Sequence, residues 1–240
     1  MIKKSEMDHL AHHIISRFGL GNLKITDYIY YLLFMSVPLA TAAVLIYAGP
    51  VWLYIVMAVV SAAVVFLVRS IVAAVFEIRL SYKPWFTGLI FSFIATIIVS
   101  VIAGVAVPIP VMNVSEYKRA NTLRGLKRGE IKNKDKWETS LFSFIAILAF
   151  AQLFISLGGK STQPLFYSGI LLILYVLVDI LPLHRFNGSF MAYHNTILYF
   201  IESGFITLML VLSYISAASS LVLFIIFVLA NLTAYKIKLW

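Results

Sequence analysis

Seven apolar runs, separated by short polar or glycine- and proline-bearing breaks, dominate the pattern of this chain. The runs cover Tyr28–Ala48, Val51–Val68, Pro84–Ala106, Ser140–Leu157, Pro164–Asp179, Thr196–Ser216 and Ala218–Tyr235. Each comes close to the length of about 20 residues that an α-helix needs to cross the hydrocarbon core of a bilayer. Gly49-Pro50 is so short a break that the second helix must return beside the first. The pattern predicts an all-α polytopic membrane protein, with a single transmembrane domain over residues 25–240.

Composition supports this class and excludes several others. The 240 residues are 62% hydrophobic and 12% charged, with a mean hydropathy of +0.96, whereas a soluble protein of this size needs far more polar cover. The chain has no cysteine, which excludes disulfides and thiolate metal sites. The net charge of +9 indicates Lys- and Arg-rich cytoplasmic loops of a protein in the cell membrane rather than nucleic-acid binding. We therefore expect the lipid bilayer and other membrane proteins as partners.

The third apolar run is followed by a stretch unsuited to helix, because Pro108 and Pro110 interrupt residues 107–114. If all seven runs span, Lys and Arg divide eleven to eight between the two sides. If 84–114 enters and leaves on one side, eighteen lie on that side and Lys160 alone on the other. Since Lys and Arg favour the cytoplasmic side, we expect six spanning helices plus one membrane-embedded or re-entrant segment, with both termini cytoplasmic. Seven spanning helices are the alternative.

Two polar segments are expected on the cytoplasmic side. Residues 115–139 form a loop with eight Lys or Arg residues, suited to anionic headgroups or to an acidic patch of a partner. Residues 1–24 contain an amphipathic helix, Ser5–Phe18, which we expect to lie at the membrane interface. His9 and His13 stand one turn apart on its polar face, as in zinc-binding helices, but no glutamate lies between them. A metal site there is the alternative.

A polar stretch, Asp179-Ile-Leu-Pro-Leu-His-Arg-Phe-Asn-Gly-Ser189, closes the fifth run and predicts a turn at the membrane surface. It looks like the motif Asn-Leu-Leu-Pro-x-x-Pro-Leu-Asp-Gly-Ser. Arg128-Gly-Glu-Ile131 looks like a second motif, Asn-Gly-Lys-Ile. On these motifs, and on the order of helices and breaks over roughly residues 25–200, the chain resembles the archaeal branch of the site-2-protease-like intramembrane zinc metalloproteases.

The resemblance implies that the chemistry of that family is missing here. The family's His-Glu-x-x-His motif aligns with the segment that begins at Arg69. The aspartate that binds zinc in the family aligns with Asn187, and the asparagine that orients the substrate aligns with Thr139. Arg69 and Ala73 replace the two histidines, and Ser70 replaces the glutamate. Arginine is always protonated and alanine has no donor atom, so neither binds zinc. The resemblance therefore implies a pseudoprotease with no metal, no other cofactor and no catalytic residues.

The charged residues within the apolar runs suggest what replaces the metal. We expect Arg69 to face inward and pair with Asp179, or to hydrogen-bond Asn187, so that it joins the second and fifth helices. The alternative is that Arg69 extends to the interface while Asp179 caps the turn. Glu202, inside the sixth helix, is expected to contact a partner or a basic side chain. His184 and His194 flank the turn and are expected to be solvated rather than metal-bound.

Three functions follow from these patterns. The first is a non-catalytic membrane protein that acts as a structural or accessory subunit, or as a scaffold that binds transmembrane segments. The second is an intramembrane protease with an unorthodox site built from the N-terminal histidines. The third is a small transporter or channel with Arg69, Asp179 and Glu202 along its pathway. The sequence contains no internal repeat of the kind that supports the third.

Overall fold

The computed structural model describes residues 25–46, 50–76, 78–81, 86–103, 107–109, 116–119, 133–158, 163–181 and 187–236. Within these ranges the chain is almost entirely helical. Its elements are α1 (Ile25–Ile46), α2 (Val51–Val75), β1 (Ile78–Ser81), α3 (Phe86–Ala103), β2 (Glu116–Arg119), α4 (Asn133–Gly158), α5 (Gln163–Asp179), α6 (Asn187–His194), α7 (Thr196–Ile215) and α8 (Ala217–Lys236). The predicted interfacial helix Ser5–Phe18, with His9 and His13, lies outside the described residues.

Each of the seven predicted apolar runs contains a helix. Four helices, α2, α4, α7 and α8, are long and apolar enough to cross a membrane by length and composition. The apolar parts of α1, α3 and α5 are shorter, at 10–17 residues. The fold is therefore that of a helical membrane protein.

Helix α5 lies at the centre of the bundle and packs against α1, α2, α4 and α7. It is apolar on every side, as expected for a helix surrounded by protein. Residues 170–176 are all at most 2% exposed. Helices α4 and α5 approach each other closely at a glycine on each helix. A Cβ atom added to Gly169 would lie 2.7 Å from the Ala151 carbonyl oxygen, and one added to Gly158 would lie 2.3 Å from the Phe166 backbone nitrogen.

The chain runs away from the strands along α3, and residues 107–109 then run back beside the same helix. Ser92, Thr96 and Ser100 stand four residues apart and therefore share one face of α3. Their hydroxyl groups serve an extended stretch that runs back along the helix: Ser100 Oγ accepts from the Val107 amide at 2.9 Å, and Thr96 Oγ1 accepts from the Ile109 amide at 3.0 Å. Ser92 Oγ donates to the Ile109 carbonyl. The side chains thus replace the backbone partners that a proline-interrupted stretch lacks.

The strands on either side of α3 pair with each other. β1 and β2 are antiparallel, with Ile78 opposite Arg119 and Ser81 opposite Glu116. The chain therefore leaves for α3 and returns from it at the same place. The two short strands are an addition to the predicted all-α architecture. Residues 78–81 alternate apolar and polar side chains, as a half-buried strand does, whereas residues 116–119 do not.

Two boundaries differ from the prediction. The predicted loop 115–139 is wrong at its end, because α4 begins at Asn133 and so includes Thr139. Asp135 in the first turn favours a helix N-terminus, and the wholly buried Trp137 anchors the added turns.

The predicted turn at Asn187 is also wrong, since Asn187 begins the short helix α6, which packs against α4 and α7. Asparagine is common at the start of a helix as well as in a turn.

Aromatic contacts gather several chain segments at one end of the bundle. The Phe142 ring near the start of α4 packs against Phe76 just after α2 and Tyr235 near the end of α8, with ring centroids 5.5 and 5.7 Å apart. The Trp137 ring stacks on His194 at 4.9 Å. His194, predicted to be solvated, is exposed, and His184, named in the same prediction, lies outside the described residues. This end therefore brings together the ends of α2, α6 and α8 and the start of α4.

Candidate functional site

Arg69 and Asp179 form a buried ion pair between α2 and α5. The Arg69 guanidinium donates a hydrogen bond through Nη2 to the Asp179 carboxylate. Arg69 is 7% exposed and Asp179 is 5% exposed. Arg69 therefore points into the bundle and does not extend to the interface. Asp179, the last residue of α5, is brought to Arg69 because α2 and α5 pack side by side.

Two tyrosines complete the surroundings of this pair. The Arg69 Cζ atom lies 5.3 Å from the centre of the Tyr175 ring, a distance at which a cation is attracted to an aromatic face. Tyr175 and Asp179 are one turn apart on α5, so both reach the same guanidinium. Tyr31 on α1, 1% exposed, lies beside both charges. Three helices thus meet at one arginine.

The remaining positions named by the family resemblance lie on three different helices. Ser70 and Ala73 are buried on α2, next to Arg69. Thr139 is buried on α4, where its hydroxyl donates to the Asp135 carbonyl oxygen of its own helix at 2.7 Å. Asn187 begins α6, and its side chain lies outside the described part of the structure. No group of three or more His, Cys, Asp or Glu residues able to hold a metal ion is present among the described residues.

Glu202 lies apart from this pair, between α7 and α8. It is 3% exposed, and the side-chain amide of Asn231 on α8 is within hydrogen-bonding reach of its carboxyl group. Both residues line a cavity of about 350 Å³ whose other walls are mainly apolar. The lining residues are Asn195, Ile197, Leu198, Ile201, Glu202, Phe205, Phe227, Ala230, Asn231 and Ala234. Every one of these lies within α7 or α8 or caps the start of α7.

A second polar contact joins α7 and α8 near the opposite end of the same helix pair. Ser213 Oγ and Ser220 Oγ are 2.8 Å apart, and Gln152 of α4 donates through Nε2 to Ser220 Oγ, also at 2.8 Å. On α7, Glu202 and Ser213 are separated by the same number of residues as their respective contacts Asn231 and Ser220 on α8. The two helices therefore keep one register from the first polar contact to the second.

Sequence reasoning identified Arg69, Asp179 and Glu202 but missed Gln152 and Asn231. Each of these amides interrupts an apolar run, and a polar side chain inside a membrane-spanning helix generally faces protein and a hydrogen-bond partner. The same signal that singled out the charges would have found the amides. The serines of the second contact carry no such signal, because serine is common in transmembrane helices.

Comparison of the chain with protein-family models, with curated proteins and with solved structures finds no match.

Proposed function

We propose that this chain is a non-catalytic membrane protein, a degenerate relative of the site-2-protease-like metalloproteases that serves as an accessory subunit or as a scaffold for transmembrane segments. The observation that carries the proposal is the buried pair of Arg69 with Asp179. The resemblance puts the first metal ligand at Arg69, and there the structure has a guanidinium that is already bound to a carboxylate. The proposed relationship itself rests on the sequence motifs alone.

The residues at this place do not fit a zinc ion. Zinc needs three protein ligands with available electron pairs and an open position for water. A guanidinium is always protonated and offers only donors, and its positive charge would repel the ion. Ser70 and Ala73 beside it supply neither an imidazole nor a carboxylate. A positive centre provided by Arg69 accounts for the acidic and aromatic groups around it without a metal.

The proposed topology has six spanning helices, α1, α2, α4, α5, α7 and α8, with the segment from α3 to β2 entering and leaving on one face. The pairing of β1 with β2 and the return of residues 107–109 along α3 support this arrangement. It sets the starts of α1, α4 and α7 and the ends of α2, α5 and α8 on one side, which the bias of Lys and Arg makes the cytoplasmic side of the cell membrane. Both termini lie there.

A scaffold needs a surface for its client, and α7 and α8 offer the most open one among the four long helices. Only 28% of the spanning window of α7 and 17% of that of α8 is buried, against 50% for α2 and for α4. Large apolar side chains, among them Ile197, Phe200 and Leu229, are more than half exposed along this pair. Such a surface faces lipid or another transmembrane helix.

The charges give no comparable support to a transporter. Arg69 and Asp179 neutralise each other between α2 and α5, whereas Glu202 lines a cavity bounded by α7 and α8. A transport pathway would need these groups along one continuous channel.

The test is elemental analysis of the full chain purified from membranes, combined with a cleavage assay on reconstituted transmembrane peptides. We expect far less than one zinc per chain, and no cleavage that a chelator abolishes. Stoichiometric zinc, or chelator-sensitive cleavage, would overturn the proposal. The matched comparison is the Arg69→Leu variant. If the wild-type chain did hold zinc at this place, its metal content would change with this substitution, whereas contaminating zinc would not.

A further inference from the structure

We propose that the cavity between α7 and α8 is a binding site for a basic side chain, lysine or arginine, carried by a transmembrane helix of a partner protein. This inference rests on the proposed scaffold function and specifies the client's chemistry. Two buried polar groups in the cavity, Glu202 and Asn231, at 3% and 5% exposed, carry the inference.

The hydrogen-bonding capacity of the cavity favours a donor. The Asn231 side chain donates through Nδ2 to the Phe227 carbonyl oxygen at 3.0 Å, and this contact fixes which way the amide points. Its Oδ1 atom is buried and has no hydrogen-bond partner among the described residues. The amide N–H group of the same side chain is also within hydrogen-bonding reach of the Glu202 carboxyl group. The polar groups at the floor of the cavity therefore present oxygen acceptors, which an ammonium or guanidinium group would satisfy together.

Charge complementarity also favours a basic group as the occupant of the cavity. A carboxylate within a bilayer is costly, and such groups generally pair with a basic group. No basic side chain is among the described residues that line this cavity, so a basic group that pairs with an ionised Glu202 would come from another molecule. A second copy of this chain in a symmetric dimer would bring another carboxylate to the site, and two like charges would repel.

The walls suit a helix rather than a small solute. Ala230 and Ala234 stand one turn apart on α8 and line the cavity, and small residues let helix backbones approach closely. Glu202 is six residues into α7, about 9 Å along the axis at 1.5 Å per residue. The partner's basic residue should therefore lie at a similar depth, near the end of its own helix.

The experiment uses the full chain in phosphatidylcholine vesicles and a leucine- and alanine-rich transmembrane peptide with one lysine at the depth of Glu202. The chain lacks cysteine, so Lys236→Cys gives a single site for a fluorophore, and energy transfer to a labelled peptide reports binding. We expect the lysine peptide to bind about tenfold more tightly than the same peptide with methionine at that position. Glu202→Gln should remove this preference, and Asn231→Leu should reduce it, whereas Ser219→Ala on the exposed face of α8 should leave it unchanged.

A charge reversal keeps the test decisive if the neutral variant folds poorly. Glu202→Lys should reverse the preference, so that a peptide with glutamate binds better than the lysine peptide. Equal binding of the lysine and methionine peptides to the wild-type chain would overturn the inference, as would a lysine preference that survives Glu202→Gln. Displacement of the lysine peptide by phosphatidylethanolamine would also overturn it, because the site would then hold a lipid amine. None of these failures would restore zinc or cleavage, so the proposed non-catalytic function is tested separately.

Discussion

The Arg69 guanidinium and the Asp179 carboxylate, 110 residues apart in the chain, form a buried ion pair that joins α2 to α5. Both ends of the pair belong to helices of the central bundle, and the Tyr175 ring lies against the guanidinium. An ion pair in a low-dielectric interior is worth little net free energy against an apolar pair, yet the loss of one partner leaves an uncompensated charge. We therefore expect the pair to select which faces of α2 and α5 pack together more than to add net stability.

The first prediction separates the net stability that the ion pair adds from the cost of leaving one charge buried without its partner. Arg69→Met and Asp179→Leu should each lower the free energy of unfolding by about 3–5 kcal/mol, because each leaves a buried charge alone. The double variant should lose much less, since neither charge remains. The measurement is loss of helical circular dichroism on heating in detergent micelles. Lys236→Met, at an exposed position, serves as the control. Additive effects of the two substitutions would contradict a direct pair.

The second prediction concerns the path of the chain around α3. Single cysteines replacing Ser81 and Glu116, which face each other in the paired strands, should react with a membrane-impermeant thiol reagent from the same side of sealed vesicles. A cysteine replacing Pro50, at the other end of α2, should react from the opposite side. Because the chain has no native cysteine, each signal comes from one position. Labelling of Ser81→Cys and Glu116→Cys from opposite sides would mean that this segment crosses the membrane.

The sequence predicted most of the helices but not every feature that organises them. Apolar runs that match the thickness of a bilayer identify helices directly, and the buried charges stood out because they interrupt such runs. The start of α4 was missed because Lys134, Asp135 and Lys136 look like loop residues, although each is tolerated in a helix whose Trp137 is buried. The strands were missed because four-residue segments pair only when the chain between them returns, which is a long-range property.

The residues of the candidate site also differ in how well the sequence predicted them. Arg69, Asp179 and Glu202 could be found because a charge in an apolar run needs an explanation. The pairing of Arg69 with Asp179 was predicted, whereas the contact of Glu202 with Asn231 was not. The second contact depends on which faces of α7 and α8 pack together, and the apolar runs are too alike to specify this. The serine and threonine side chains that bond residues 107–109 could not be identified from the sequence either, because only the folded chain shows the extended stretch beside them.

The third prediction concerns the glycine at the crossing of α4 and α5. Gly169→Ala adds a Cβ atom that would lie 2.6 Å from the Ile155 Cγ1 atom and 2.7 Å from the Ala151 carbonyl oxygen. The helices must then separate, and overpacking of this kind typically costs about 1–3 kcal/mol. Gly204→Ala is the matched control. Its Cβ atom would meet no atom of the described residues within 4 Å, and it should instead stabilise the helix by roughly 0.5–1 kcal/mol. Thermal unfolding in micelles compares the two, and a similar shift for both would contradict the close approach.

The fourth prediction concerns the polar contact between α4, α7 and α8. Ser220→Ala removes the hydroxyl that accepts from Gln152 and contacts Ser213, and should cost about 1–2 kcal/mol because buried groups lose their partner. Adding Gln152→Leu should recover most of this loss, since Gln152 Oε1 already has no hydrogen-bond partner among the described residues and the double variant leaves fewer buried polar atoms. Ser219→Ala, next to it on the exposed face, should have no effect. The free energies come from thermal unfolding of the four chains in the same micelles. If Ser220→Ala proves as harmless as Ser219→Ala, the contact does not hold α8 to the bundle, and the exposed pair of α7 and α8 would be held by apolar packing alone.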